Sequence, residues 1–125
     1  MAWIKSPQSL IDLFDKSVPT AASVLRRKMF GYPAAFANGN LFIGLHQNDF
    51  IMRLSEGDRT RFTAQYGERT FEPMSGRPMR QYVRLPEQLL ADPRKRANWI
   101  KLSLKYAEAI VPKAKSPPRK PSARK

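Results

Sequence analysis

Apolar and polar positions follow two different patterns along this chain. Between Tyr32 and Leu54 short apolar runs are bounded by turn signals, which predicts strands whose successive residues face opposite ways. Leu41, Ile43 and Leu45 then share one face, and Phe42, Gly44 and His46 the other. Two turn signals break the run. Asn38-Gly39 suits a two-residue type I′ turn, because both central positions need positive φ and Asn then Gly adopt it with least strain. Ala35-Phe36-Ala37 therefore pairs back on Asn40-Leu41-Phe42-Ile43. Gln47-Asn48-Asp49 is the second turn, and Phe50-Ile51-Met52-Arg53-Leu54 returns. The expected product is a three-strand antiparallel meander.

On either side the apolar spacing is that of a helix. Ser6 as cap and Pro7 at the first helical position predict a helix start, and Leu10, Leu13 and Phe14 form its apolar stripe. Val18-Pro19 ends it, since the residue before proline avoids the helical region. A short turn at Ala21 then leads into a strand from about Leu25 to Phe30. Ser55 caps a second helix, with Glu56 and Asp58 at the positive end of its dipole. Phe62 and Tyr66 face the core from it, and Gly67 stops it. Glu68 to Met74 and Met79 to Leu85 read as strands around Ser75-Gly76-Arg77-Pro78. Met79, Val83 and Leu85 point one way there, and Arg80, Tyr82 and Arg84 the other. Pro86-Glu87 opens the last helix, to about Ile110, with Asp92-Pro93 as a place for a kink or restart. Ala97, Ile100, Leu104, Ala107 and Val111 lie on its buried arc, extended by Trp99, Tyr106 and Ile110.

The order α-β-β-β-β-α-β-β-α predicts an α+β two-layer sandwich, an antiparallel sheet of about five to six strands with helices on one face. Phe30, Leu41, Ile43, Val83 and Ile100 are expected in one core. Met29, Met52, Met74 and Met79 read as core filler rather than an adaptable binding surface.

Composition changes the picture at one end. The 125 residues suffice for one domain with a real core, and 42% are hydrophobic. Residues 1–111 read as that domain. From Pro112 onward, Pro, Lys, Ser and Arg alternate without an apolar face. Residues 112–125 are therefore expected to be a disordered basic tail, because they cannot bury enough surface to offset ordering entropy.

Charge adds a class of partner. Lys and Arg number 23 against 10 Asp and Glu, a formal charge of +13. The tail holds +6 of it and no acid, which leaves the body at +7. Polyanions are the expected partners, with solubility as the plain alternative. There are no cysteines, which excludes disulfides and thiolate metal sites and fits a cytoplasmic location. The start Met-Ala-Trp-Ile-Lys has no apolar run after a basic segment, so no signal peptide is expected, and no stretch approaches a membrane span.

Catalytic chemistry finds no foothold. His46 is the only histidine, placed at a strand end beside a turn, where a surface or turn role fits best. No nucleophile elbow, phosphate loop, dinucleotide loop or calcium loop is present. No catalytic residue, metal or cofactor is expected. Two basic constellations remain in the body. Arg80-x-Tyr82-x-Arg84 sets two guanidiniums around an aromatic ring, a pattern for phosphate contact and base stacking. Its plainer reading is arginine stems covering a tyrosine. Arg94, Lys101 and Lys105 line the outer side of the last helix with Asn98, either as a contact stripe or as a solvated face. In the tail, Lys113, Lys115, Arg119 and Lys120 are the strongest polyanion candidates.

Taken together, Arg27-Lys28-Met29-Phe30-Gly31, Asn38-Gly39, Phe50-Ile51-Met52-Arg53-Leu54, Gly76-Arg77-Pro78-Met79 with Tyr82 and Leu85-Pro86-Glu87, and a late helix carrying Trp99 form a recognisable series. In order and spacing it resembles the N-terminal domain of the TfoX/Sxy family of bacterial competence regulators, over roughly Leu10 to Val111. One departure is Tyr32-Pro33-Ala34 where many relatives carry a second glycine; Pro33 lacks a backbone donor and should weaken strand pairing. The resemblance implies the same α+β fold and a non-catalytic regulatory or adaptor module. Its partners would be a protein in transcription regulation and, weakly and non-specifically, DNA or RNA. The alternative is a small-molecule-binding or enzymatic domain with a cleft between sheet and helices.

Overall fold

The computed structural model of the chain describes residues 6–29, 31–74 and 76–110. The elements run α1 (Gln8–Ser17), β1 (Val24–Met29), β2 (Tyr32–Ala37), β3 (Asn40–His46), β4 (Asp49–Arg53), α2 (Glu56–Tyr66), β5 (Thr70–Met74), β6 (Arg77–Arg84), α3 (Glu87–Leu90) and α4 (Pro93–Ala109). All strand pairs are antiparallel, in the order β1-β2-β3-β4-β6-β5. The α+β class and the expected element order hold, with the last helix divided in two.

Local chemistry sets most boundaries. Asn38 and Gly39 have φ of 51° and 84°, as a type I′ hairpin needs, and Gln47 at φ 54° makes the next turn. The Ser55 side chain accepts from the Asp58 amide, and Gly67 ends α2 at φ 87°. The Asp92 side chain accepts from the Lys95 amide and Pro93 takes the first helical turn, so α4 is a fresh helix rather than a bend in α3. Ser6 does not cap α1. Pro7 holds the cap position at ψ 144°, and Ser6 lies one residue too early to reach the free amides. Its hydroxyl donates instead to the Gln47 carbonyl at 2.7 Å. Pro33 falls where β2 pairs with Lys28 of β1, just outside the β2–β3 ladder that begins at Ala34. The missing donor therefore does not interrupt that ladder.

Helices α1 to α4 cover one face of the sheet. Phe14, Phe62, Leu89, Trp99, Ile100 and Ala107 pack there against Phe42, Ile43, Leu45, Phe50, Met52 and Val83. A second cluster, Ala34, Leu41, Ile51, Phe71 and Tyr82, contains only strand residues and lies on the opposite face, with Met29, Phe36 and Met79 against it. Expected core partners thus separate: Ile43, Val83 and Ile100 are in the helix-side core, Leu41 is in the other cluster, and Phe30 lies outside the described residues. The cause is a bulge. Ala35 pairs with Ile43 but Phe36 pairs with Leu41, so Phe42 is an extra residue. Leu41 turns away, and Phe42 and Ile43 both join the helix-side core. The fully buried Ser103 of α4 donates to the Phe42 carbonyl at 3.0 Å, which satisfies a backbone group at the bulge.

A second irregularity curls the far end of the sheet. Thr70 pairs with Val83, whereas the next residue, Phe71, pairs with Met79. Met79 therefore shares the Tyr82 cluster instead of pointing with Val83 and Leu85. The Phe71 ring lies 5.3 Å from the His46 ring, although β4 and β6 stand between their strands. In a flat sheet three strand spacings would be roughly 14 Å. The β5–β6 hairpin thus folds over the helix-free face and buries it. His46 is held between Tyr32 and Phe71, at 5.3 Å from each, so it is a packing ring and not a plain turn residue.

On α4 the buried positions are Arg96, Trp99, Ile100, Ser103 and Ala107. Ala97 is exposed and Leu104 half-buried, so the buried arc is rotated from the expected one. Trp99 causes this by packing edge-on against Phe62 at 5.2 Å. Arg96 Nε donates to Ser17 Oγ at 3.0 Å and Nη1 to the Leu90 carbonyl at 2.6 Å, which ties α1 and α3 to α4. Burial pushes its guanidinium below the usual arginine range, and Asp92 opposes. Arg96→Met should cost about 1–2 kcal/mol in urea unfolding, because two part-buried acceptors lose their donor. Arg96→Lys should recover only part of that loss, since an ammonium cannot span both acceptors.

At the edge of the sheet, β1 presents Arg26, Arg27 and Lys28, charges that discourage edge-to-edge pairing. Arg26 also pairs with Asp15 and sits over the Phe14 ring. No helix among the described residues is long and apolar enough to cross a membrane.

Candidate functional site

Strand β6 lies beside β4 and not beside β3, and that order builds the site. Tyr82 stands opposite Arg53 in the ladder. The Arg53 guanidinium carbon is 5.6 Å from the Tyr82 ring centre and 5.8 Å from that of Tyr106 on α4. Arg53 Nε donates to Gln81 Oε1 at 2.8 Å. Three neighbours therefore hold one guanidinium. The described ion pairs are Arg26 with Asp15 and Arg61 with Asp58, and neither involves Arg53.

Beside Arg53 is a cleft of about 420 Å³. Gly39, Asn40 and Leu41 form one wall, and β6 residues from Met79 to Tyr82 form the other. The first wall is anchored to the end of α4. Asn40 Nδ2 donates to the carbonyls of Ala107 and Ile110, at 3.0 and 3.1 Å, and Asn38 Nδ2 to that of Glu108 at 3.2 Å. These bonds meet carbonyls at the end of α4, where Ala107 otherwise accepts, among the described residues, only from the Ile110 amide at 3.3 Å. They also tie the last described residue, Ile110, to Asn40 of the cleft wall.

The expected Arg80-Tyr82-Arg84 face is rearranged. Tyr82 is buried and its hydroxyl donates to the Leu41 carbonyl at 3.1 Å. Its ring is covered by Arg53, and Arg80 and Arg84 do not flank it as a pair. Arg80 is exposed on the cleft wall, and its carbonyl accepts from Arg59 Nη1 at 2.7 Å. Arg84 is half-buried beyond the cleft, where its carbonyl accepts from Arg69 Nε at 2.8 Å. Burial first, then repulsion from Arg84, push Arg69 below the usual arginine range, against an opposing pull from Asp49. Arg94, Lys101 and Lys105 are exposed on α4 and line no part of the cleft. Lys113, Lys115, Arg119 and Lys120 lie outside the described residues. Among the described residues, no group of three or more His, Asp or Glu could hold a metal ion.

Arg53 and Asn40 escaped sequence reasoning. Arg53 was visible only as the end of an apolar strand, and nothing local ties it to Tyr82 or Tyr106. Asn40 read as a strand residue after a turn, not as the cap of a distant helix.

Burial pushes the Tyr82 hydroxyl above its ordinary value near 10, and the Arg53 charge partly opposes. A raised pKa means that the folded state keeps the proton longer than the unfolded chain does. The stability this contributes is complete below about pH 10 and is lost as pH rises through the folded value. Tyr82→Phe should flatten that alkaline decline in chemical unfolding measured from about pH 8 to about pH 11. A decline of unchanged steepness would remove Tyr82 as its source.

The sequence model of the TfoX N-terminal domain matches residues 4–107. The chain belongs to that family. No curated protein matches it. The TfoX N-terminal domain match spans all four helices except the end of α4, and all six strands. Arg53, Tyr82, Tyr106 and both walls of the cleft lie within it.

Proposed function

We propose that this TfoX N-terminal domain is a non-catalytic regulatory or adaptor module of the bacterial cytoplasm. It acts in transcription regulation through contacts with a protein, and it holds nucleic acid weakly and without sequence preference. Family membership supports the regulatory part. The single observation that supports the nucleic-acid part is the Arg53 cleft, a fixed guanidinium beside the exposed Arg80 on a body of formal charge +7. A small-molecule-binding domain is the second reading, and the size of the cleft favours it, since ligand pockets begin at about 300 Å³.

Salt dependence tests the first reading. Each neutralised phosphate releases condensed counterions, so affinity falls as salt rises. If the basic tail makes about four contacts, log K should fall with log salt at a slope of roughly −3.6 on duplex DNA. Affinity near physiological salt should be about 10⁻⁴ to 10⁻⁶ M. Removal of residues 112–125 should abolish most of that slope, and Arg80→Ala with Arg84→Ala should reduce the remainder. Absence of binding to DNA or RNA at low salt would leave the charge to solubility and the module to its protein partner.

A further inference from the structure

We infer that the Arg53 cleft is a phosphate site for single-stranded nucleic acid, with Arg53 as the direct phosphate ligand and Arg80 as a second cation. The inference rests on the nucleic-acid part of the reading above and gives it a place.

The argument starts from the guanidinium. A long side chain loses rotamer freedom when it is fixed, and a charge loses hydration when it is half-buried. Arginine on a surface is normally mobile or paired with a carboxylate. Arg53 is neither: two tyrosine rings and the Gln81 amide oxygen hold it, and no ion pair involves it among the described residues. A planar guanidinium held this way still presents N–H donors in the fork geometry that matches phosphate oxygens. Because Gln81 Oε1 faces Arg53 Nε, the Gln81 amide nitrogen is left to donate elsewhere along the cleft wall. Arg80 lines the same wall and is exposed, so it can meet a neighbouring phosphate.

Shape selects a single strand. A duplex is read by a helix or ribbon that protrudes into its groove. Here the cations line a concavity of about 420 Å³, which admits one flexible unit of a chain and not a double helix. The walls also offer Leu41 and Met79 to an unstacked base.

The full chain, titrated with a labelled oligothymidylate at low salt, tests the assignment. Arg53→Gln should weaken binding about tenfold and make the salt slope shallower by about 0.7, the value for one contact on a single strand. Arg53→Lys should restore charge but not affinity, because an ammonium does not stack between two rings or form a fork. Lys101→Ala with Lys105→Ala should leave affinity for the single strand within about twofold. Circular dichroism and thermal unfolding establish that each variant is folded. Should Arg53→Gln fail to fold, amide shifts of Gly39, Leu41 and Gln81 in the wild-type chain on adding the oligonucleotide decide the matter. Shifts confined elsewhere would overturn the site. Wild-type affinity and slope in a folded Arg53→Gln would overturn it while leaving nucleic-acid binding intact. Displacement of the strand by an equal concentration of mononucleotide would overturn the single-strand assignment in favour of a free nucleotide. A wild-type chain that binds no nucleic acid would bring down the underlying reading as well.

Discussion

Ile43→Ala is expected to lower the unfolding free energy by about 2–5 kcal/mol. Ile43 is fully buried in β3, third of six strands, with the sheet continuing on both sides. Its ladder partners are Ala35 and Met52. Alanine at position 35 has nothing to extend into the space, and Ser103 fixes the carbonyl of the preceding residue from α4. The bulge at Phe42 further limits how far the strand can shift to close the gap. The lost transfer energy is therefore joined by a cavity cost. A domain of this size has about 5–15 kcal/mol in total, so the change should be plain in the urea midpoint at unchanged slope. A loss below about 1 kcal/mol would mean that the strand collapses into the space, against the packing described here.

Asn40→Leu should cost about 1–3 kcal/mol, a large effect for removing one side-chain amide. Leucine matches asparagine in size but donates no hydrogen bond. Among the described residues, the buried Ala107 carbonyl would keep only the Ile110 amide, at 3.3 Å, and the part-buried Ile110 carbonyl would lose the Asn40 amide. A buried or part-buried carbonyl that loses a strong donor costs about 1–3 kcal/mol. Asn40→Asp should be at least as damaging, since it removes the donor and adds a negative charge where the helix dipole is already negative. Thermal unfolding would measure the loss. Hydrogen exchange in the last turn of α4 would locate it, with faster exchange there than in α1. A uniform change across the domain would instead indicate a general packing defect at β3.

The two substitutions also bear on nucleic acid in different ways. Ile43 lies in the helix-side core and away from the cleft, so folded Ile43→Ala should bind a single strand as the wild type does. Asn40 holds one cleft wall to α4, so its loss should weaken binding even in the folded fraction. Parallel measurement of stability and affinity would separate the two roles.

Turns, caps and charge were all present in short stretches of residues. Asn38-Gly39 makes its hairpin because two neighbouring residues tolerate positive φ, whatever lies elsewhere. Ser55, Gly67 and Asp92-Pro93 start and stop helices through bonds that span three or four residues. Such features depend on energies internal to a few positions, and so the element order and the α+β class could be read from the chain alone. The excess of positive charge was likewise a matter of counting. The tertiary structure decided where those elements place their side chains. The bulge at Phe42 sends Leu41 to the far face, and Ser103 of α4 satisfies the Phe42 carbonyl there. The curl of β5 and β6 turns an expected display of Arg80, Tyr82 and Arg84 into a buried tyrosine beneath Arg53. Arg53 meets Tyr82 across 29 positions of sequence and Tyr106 across 53, through a strand order that no local pattern encodes. Alternation along one strand assumes an unbroken pleat, and a single extra residue reverses it. The free energy that favours the extra residue comes from packing between layers, which the order of residues along one strand does not contain.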